Sequence, residues 1–214
     1  MGINEKEFRK LQKSDIYQVF IRKLTIVENP FRGRLRVEYN LTDLQFKQMF
    51  KLTTQTTISS KLWSFQYRSS CGLLYSMKEM VKFKLKQNDS CSFCSQSQDR
   101  KHLFHGCVKV REFWKKVENQ YEPILGSVPI SELEALTGYD PNVSRHTLRN
   151  FIILCARKFI YDNNMHGKEL DATLLYSVVN NYNKIEYKIA DESLKIRTML
   201  HHNKKWKRWS DIIP

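Results

Sequence analysis

The stretch Cys91-Ser-Phe-Cys94 … His102-Leu-Phe-His105-Gly-Cys107 decides the fold, because it places three cysteines and two histidines within seventeen residues. A C-x2-C turn directs two thiolates towards one point, and an H-x4-C pair on the next turn completes a set of four ligands. Tetrahedral zinc takes four such donors at about 2.0–2.3 Å, and a closed protein shell leaves no position for a catalytic water. The sequence therefore predicts one structural Zn²⁺ bound by Cys91, Cys94, His102 and Cys107.

The identity of the histidine ligand is an open point in this motif. His105 leaves one residue before Cys107 and would crowd the ligands, so we favour His102; the other interpretation of His105 is a surface or outer-shell imidazole. A disulfide is the alternative to a metal, but five cysteines leave one unpaired and no secretory signal peptide is visible. Cys71 and Cys155 lie in apolar, helix-like surroundings that are typical of buried cysteines.

The charge of the chain indicates a polyanionic partner. There are 36 Lys and Arg residues against 22 Asp and Glu, which gives a formal net charge of +14. This surplus favours the approach of RNA, DNA or an anionic membrane without selecting among them. The longest apolar run, residues 151–156, is far too short to span a membrane. We expect a soluble intracellular protein with no membrane partner, in the nucleus or the cytoplasm.

The distribution of apolar residues predicts a mainly α fold. Periodic apolar positions, with only 7 Gly and 5 Pro, favour an irregular helical assembly with a small zinc-binding CCHC loop between helices. Residues 31–40 fit either a short helix or an extended segment. We expect helices to begin near the capping residues Ser14, Thr42 and Ser59, and just after the last ligand, Cys107. A further helix is expected over residues 73–84.

Residues 123–129 contain two prolines and interrupt the helical pattern, so we expect a boundary between two helical regions here. The first region, 1–122, is helical and contains the zinc-binding module, with its core at about 60–122. The second region, 123–214, is helical and ends in a basic tail. It should contain helices at 130–139 and 145–161, and a long amphipathic helix after Gly167. The predicted core stripe of that last helix is Leu174, Val178, Tyr182, Ile185 and Ile189.

Two basic segments are candidates for nucleic-acid contact. The tail 193–210 has no acidic residue and combines cations with tryptophans. Cations neutralise phosphates and indoles stack on unpaired bases, but a solvated helix end with packed tryptophans explains the same composition. The segment 31–36 has the same two interpretations. The candidate residues are Arg32, Arg34, Arg36, Lys195, Arg197, Lys204, Lys205, Trp206, Lys207 and Arg208.

The cysteine region and its flanks carry a resemblance to a known family. Lys61-Leu-Trp-Ser-Phe-Gln-Tyr-Arg68, the C-x2-C turn, the H-L-F-x-x-C segment and Phe113-Trp114 together resemble the zinc-binding domain of non-LTR retrotransposon reverse transcriptases. The specific part covers residues 62–114. A looser similarity, at 150–161 and 182–190, is to the C-terminal region of the second open reading frame polyprotein of long interspersed elements. The resemblance implies the zinc ligands Cys91, Cys94, His102 and Cys107.

The resemblance also implies a function for this chain, distinct from those of the endonuclease and polymerase in such polyproteins. Such polyproteins carry an endonuclease and a polymerase upstream, and the polymerase needs paired aspartates, whereas this chain has no Asp-Asp. We therefore expect no enzymatic activity of its own, and interpret the chain as part or relic of a reverse transcriptase. The expected function is a zinc-stabilised nucleic-acid-binding accessory domain that holds RNA template or target DNA by charge, with the polymerase portion as a further partner. The alternative is a zinc-organised protein-interaction module that docks on a polymerase or an acidic partner.

Overall fold

The fold is mainly α, as the apolar periodicity predicts. The computed structural model describes residues 30–141, 147–193 and 196–212, and these residues form helices and no β-strand. An isolated antiparallel bridge pairs Ser90 with Ser97. The chain divides into two compact units, 1–40 and 41–214. The helix expected to begin near Ser14 lies outside the described residues. No helix in the described ranges is long and apolar enough to span a bilayer.

The described part of the first unit is helix α1, Pro30–Glu38. It decides the open choice for residues 31–40 in favour of a helix, because Pro30 is compatible with a first helical position, where its missing N–H costs nothing. The helix ends before Asn40, whose φ of 46° places it in the left-handed region that asparagine tolerates. Arg34 and Arg36 are exposed on this helix, and Arg32 lies within it.

The second unit contains all the remaining described helices. The boundary expected after residue 122 falls inside α6 of this unit and stays a prediction. In chain order the elements are α2 Asp43–Gln55, α3 Ser60–Ser70, α4 Met77–Lys82, a π-helical turn His102–Gly106, α5 Val108–Gln120, α6 Glu122–Leu125, α7 Glu132–Thr137, α8 Thr147–His166, α9 Ala172–Glu192, α10 Ile196–Trp206 and a 3₁₀ turn Trp209–Asp211.

Local capping sets where several helices begin. The Thr42 hydroxyl accepts from the Gln45 amide, and the Gln45 side chain accepts from the Thr42 amide at 2.9 Å, which forms a capping box. Ser59 caps α3, and Cys107 immediately precedes α5. These three helix starts confirm the predictions. The helix predicted over 73–84 is shorter, because the capping box of Ser76 starts α4 only at residue 77.

Helix α8 forms the centre of the second unit. It is buried on nearly all sides over residues 151–157 and contacts α3, α7, α9, α10 and the π-helical turn, which is typical of a helix in the middle of a core. Each fully buried large apolar side chain contributes roughly 1.5–3 kcal/mol by its removal from water. The fully buried apolar residues of α8 are Leu148, Phe151, Ile152, Ile153, Leu154, Cys155, Ala156 and Ile160.

The predicted core stripe of α9 is wrong by one residue at its aliphatic positions, whereas Tyr182 is half-buried against Phe151. The buried positions are Leu175, Val179, Glu186 and Ala190. Glu186 is the reason, because its carboxylate bonds to side chains of α10 and fixes which face of α9 points inward. The predicted aliphatic positions are 36 % to 55 % exposed: Leu174, Val178, Ile185 and Ile189.

Candidate metal centre

Four side chains from the metal loop converge on one point. The sulfur atoms of Cys91, Cys94 and Cys107 and a ring nitrogen of His102 all lie within 4.8 Å of one another. The Cys91 and Cys107 sulfurs are 3.9 Å apart, and the Cys94 sulfur is 3.2 Å from Nε2 of His102. A tetrahedron with metal–sulfur bonds of about 2.3 Å has edges of about 3.8 Å. The cluster therefore has the dimensions to hold one metal ion.

A tight backbone turn positions the first two ligands. The Ser95 amide donates to the Cys91 carbonyl at 2.8 Å, and the Cys91 amide donates to the Gln96 carbonyl at 2.7 Å. Ser95 has a φ of 61°, in the left-handed region, which reverses the chain directly after Cys94. This reversal brings both thiols of the C-x2-C turn to the same side of the loop.

The π-helical turn positions the other two ligands. The His102 amide donates to the Asp99 carboxylate at 2.8 Å, and the Cys107 amide donates to the His102 carbonyl at 2.9 Å, across five residues. A wide turn of this kind is uncommon and frequently occurs at functional sites. His105 lies on the same turn but points elsewhere, with Nδ1 4.0 Å from Glu132. The turn thus brings together the four residues that the spacing favours and leaves His105 outside.

Two contacts from outside the loop hold the cluster against the helices. Asn164, buried at the end of α8, has its side-chain nitrogen 2.8 Å from the Ser92 hydroxyl and 3.9 Å from the Cys91 sulfur. The Trp114 indole of α5 donates to the Phe104 carbonyl at 2.8 Å. Neither contact was predicted for the metal loop, since Asn164 is far from the cysteines in sequence and gives no local signal.

Burial controls the protonation of the ligands. Removal from water raises the pKa of the Cys107 thiol to about 12 and lowers the pKa of His102. A neutral imidazole is the form that binds a metal, whereas a thiol must lose its proton to bind one. A cation in the cluster supplies the positive charge that makes buried thiolates favourable. Cys91 and Cys107 are buried, whereas Cys94 and His102 are half-buried, so the cluster lies at the edge of the core.

The candidate nucleic-acid residues fall into an exposed group and a buried group. Arg34 and Arg36 are exposed on α1, and Lys195 lies outside the described residues. On and after α10 the exposed cations are Arg197, Lys204, Lys207 and Arg208. Lys205 and Trp206 are buried instead.

The burial of Lys205 and Trp206 corrects the expectation that they present a contact surface. Both Glu186 oxygens lie 2.8 Å from the Lys205 ammonium, which also sits 3.8 Å from the ring centroid of Phe151. The Trp206 indole donates to Glu186 at 2.8 Å, and the Trp209 indole donates to Asn180 at 3.2 Å. The amphipathic helix α10 and the 3₁₀ turn that follows it pack these side chains against α9, so the tryptophans belong to the core.

Comparison with known proteins returned no relative. No protein-family model, no curated protein and no solved structure matches this chain. The functional interpretation therefore depends on the metal cluster and on the placement of charged and aromatic side chains.

Proposed function

We propose that this protein is a zinc-stabilised nucleic-acid-binding accessory domain, of the kind found in the C-terminal part of non-LTR retrotransposon reverse transcriptases. In this proposal the closed cluster of three sulfurs and one nitrogen holds a structural Zn²⁺, since such donors suit zinc and no coordination position remains for water. The metal fixes the loop between α4 and α5. The polypeptide then holds RNA template or target DNA by charge rather than by catalysis.

The observation that carries the proposal is the placement of the positive charge. Two of the buried cations are neutralised within the core, because Arg149 pairs with Glu134 and Lys205 pairs with Glu186, each at 2.8 Å. Apart from these two and the buried Arg157, the lysines and arginines whose side chains the structure describes lie at or near the surface. Surface cations displace the counterions condensed on a phosphate backbone, and this release drives binding without base specificity.

The affinity for nucleic acid is expected to fall steeply with salt. If about five phosphates of a single strand are neutralised, the slope of log K against log salt is about −3.5, or roughly a 100-fold loss between 50 and 200 mM salt. Fluorescence anisotropy with a labelled oligonucleotide measures this slope. Charge reversal of the exposed Lys204, Lys207 and Arg208 should reduce the slope equally for two unrelated base sequences. Affinity that stays constant across the salt titration would contradict the proposal.

A second candidate function is a protein-interaction module that docks on the polymerase portion of a parent polyprotein. It is supported by the aliphatic row Leu174, Val178, Ile185 and Ile189, which α9 exposes to solvent. Exposed apolar rows of this kind are typical of protein contact surfaces. Binding of the purified polymerase portion that survives nuclease and is lost in Val178→Asp/Ile185→Asp would support this function. Equal binding by the variant would contradict it.

A further inference from the structure

The outer face of α3 carries two aromatic rings. Trp63 and Tyr67 lie one helical turn apart and are 43 % and 44 % exposed. Their ring planes are within 5° of parallel, with centroids 5.7 Å apart. Aromatic rings with this much exposure offer a π-face to a flat ligand, and a nucleobase is the flat ligand that a strongly basic protein attracts.

Two cations lie at the other edge of the exposed surface of α3. Lys61 and Arg68 are exposed, and helical geometry places them about 130° around the helix from the ring pair, with Ser64 between. The helix sequence, Ser-Lys-Leu-Trp-Ser-Phe-Gln-Tyr-Arg-Ser-Ser, contains no acidic residue. The carboxylates of an acidic protein partner would pair with these cations, but they would not stack on the parallel ring faces.

A cleft continues from these cations towards α8. It has a volume of about 400 Å³ and is lined by Lys61, Arg68 and Lys158, together with Tyr161 and Asp162. Asp162 accepts from Lys158 at 2.6 Å and so neutralises one of the three cations. The cleft keeps a net positive charge, and its lining includes Ser64, which separates the cations from the ring pair on the surface of α3. A phosphate in the cleft and a base on the rings are compatible with one strand crossing α3.

The inner face of α3 is firmly held, so the outer face is presented on a rigid support. The Gln66 side chain donates to the Thr137 carbonyl at 2.6 Å, and the Ser69 hydroxyl donates to the Leu136 carbonyl at 3.0 Å. These bonds fix the rotation of α3 about its axis. A binding surface on a fixed helix loses little conformational entropy when its ligand arrives.

We propose that the outer face of α3 binds single-stranded nucleic acid, with an unpaired base stacked on Trp63 and the adjoining phosphates in the cleft lined by Lys61, Arg68 and Lys158. This inference rests on the proposed nucleic-acid function and adds the contact surface and the strandedness. Bases in a duplex have their faces covered by neighbouring pairs, whereas an unpaired base has a free face. The protein therefore prefers single strands to duplex of the same length.

Fluorescence of Trp63 tests the stacking directly. Trp114, Trp206 and Trp209 are buried, so acrylamide quenching of the full chain reports mainly on Trp63. Adding oligothymidylate should protect this indole from acrylamide. Trp63→Phe should keep most of the affinity, because it keeps a ring, whereas Trp63→Leu should weaken binding on the order of tenfold.

A matched pair of double variants tests the cations. Lys61→Gln/Arg68→Gln should weaken oligothymidylate binding more than Arg111→Gln/Lys115→Gln, which removes the same two residue types from exposed positions of α5. Equal losses in the two double variants, unchanged quenching with bound oligonucleotide, or equal affinity for duplex would overturn this inference and leave the proposed function standing. No binding by the unaltered chain at low salt would overturn both.

Discussion

Replacing Cys94 with serine is expected to abolish stoichiometric metal binding and to lower the melting temperature by about 10–20 °C. A serine hydroxyl keeps its proton near neutral pH, so three ligands remain where four are needed. Cys94 is only half-buried, so the substitution loses little packing. Zinc contributes roughly 10–16 kcal/mol in small structural sites, which is comparable with the total stability of a domain, so losing even part of it lowers the melting temperature. Mass spectrometry of metal content and circular dichroism measure the two effects.

His105→Ala provides the matched control on the same turn. Its imidazole lies beside Glu132 and outside the ligand cluster, so the variant should keep one metal ion per chain and melt within a few degrees of the unaltered protein. Equal metal loss in both variants would show that His105 is required for metal binding and would contradict the choice of His102 as the ligand. Full metal content in Cys94→Ser would show that the cluster does not need its fourth ligand, and would contradict a closed structural site.

The metal ligands could be predicted from sequence because their geometry is local. Four ligands within seventeen residues leave the loop few ways to arrange them. Only one residue separates His105 from Cys107 in the sequence, which already disfavours these two as neighbouring ligands. Helix starts at Thr42 and Ser59 are also local, since the capping hydroxyl bonds to an amide three residues away. Predictions of this kind need no knowledge of the rest of the fold.

Which faces of α9 and α10 are buried could not be predicted from the sequence, because contacts between residues far apart in the chain decide it. A rotation of one residue, about 100°, separates the predicted stripe of α9 from the buried one, and both contain apolar residues. Glu186 selects between them through its bonds to Lys205 and Trp206. A composition count treats Lys205 as surface charge, yet its ammonium is buried beside a carboxylate. Net charge therefore indicates a class of partner but does not map the contact surface.

The buried Arg157 connects the metal turn to α3 and α7. Its guanidinium donates to the Ala135 carbonyl at 2.9 Å and the Leu136 carbonyl at 2.6 Å, and to Gln66 at 2.5 Å. The Ser69 hydroxyl is a further acceptor, and the rings of Phe65 and Phe104 each lie 5.7 Å from the guanidinium carbon. Phe104 belongs to the metal turn and Phe65 to α3. One side chain thus joins the metal centre to the helix proposed to bind nucleic acid.

A glycine makes room for this guanidinium. Gly138 ends α7 with a φ of 76°, and a Cβ atom there would lie 2.9 Å from Nη1 of Arg157. Burial lowers the pKa of Arg157 to about 9, so the guanidinium remains charged at neutral pH, and its acceptors compensate that charge. Both the shape and the charge of the site are therefore matched to arginine.

Arg157→Lys is expected to lower the stability by about 3–5 kcal/mol, because a single ammonium cannot reach all four acceptors and leaves buried polar groups unpaired. The melting temperature should fall by about 10 °C, while metal content stays at one ion per chain because the ligands are untouched.

Lys158→Gln is the control, since its ion pair with Asp162 is partly exposed and worth at most about 1 kcal/mol. Equal melting temperatures for the two variants would show that Arg157 does not hold α3 in place. A loss of oligothymidylate affinity in Arg157→Lys at full metal content would show that metal binding alone does not maintain the outer face of α3.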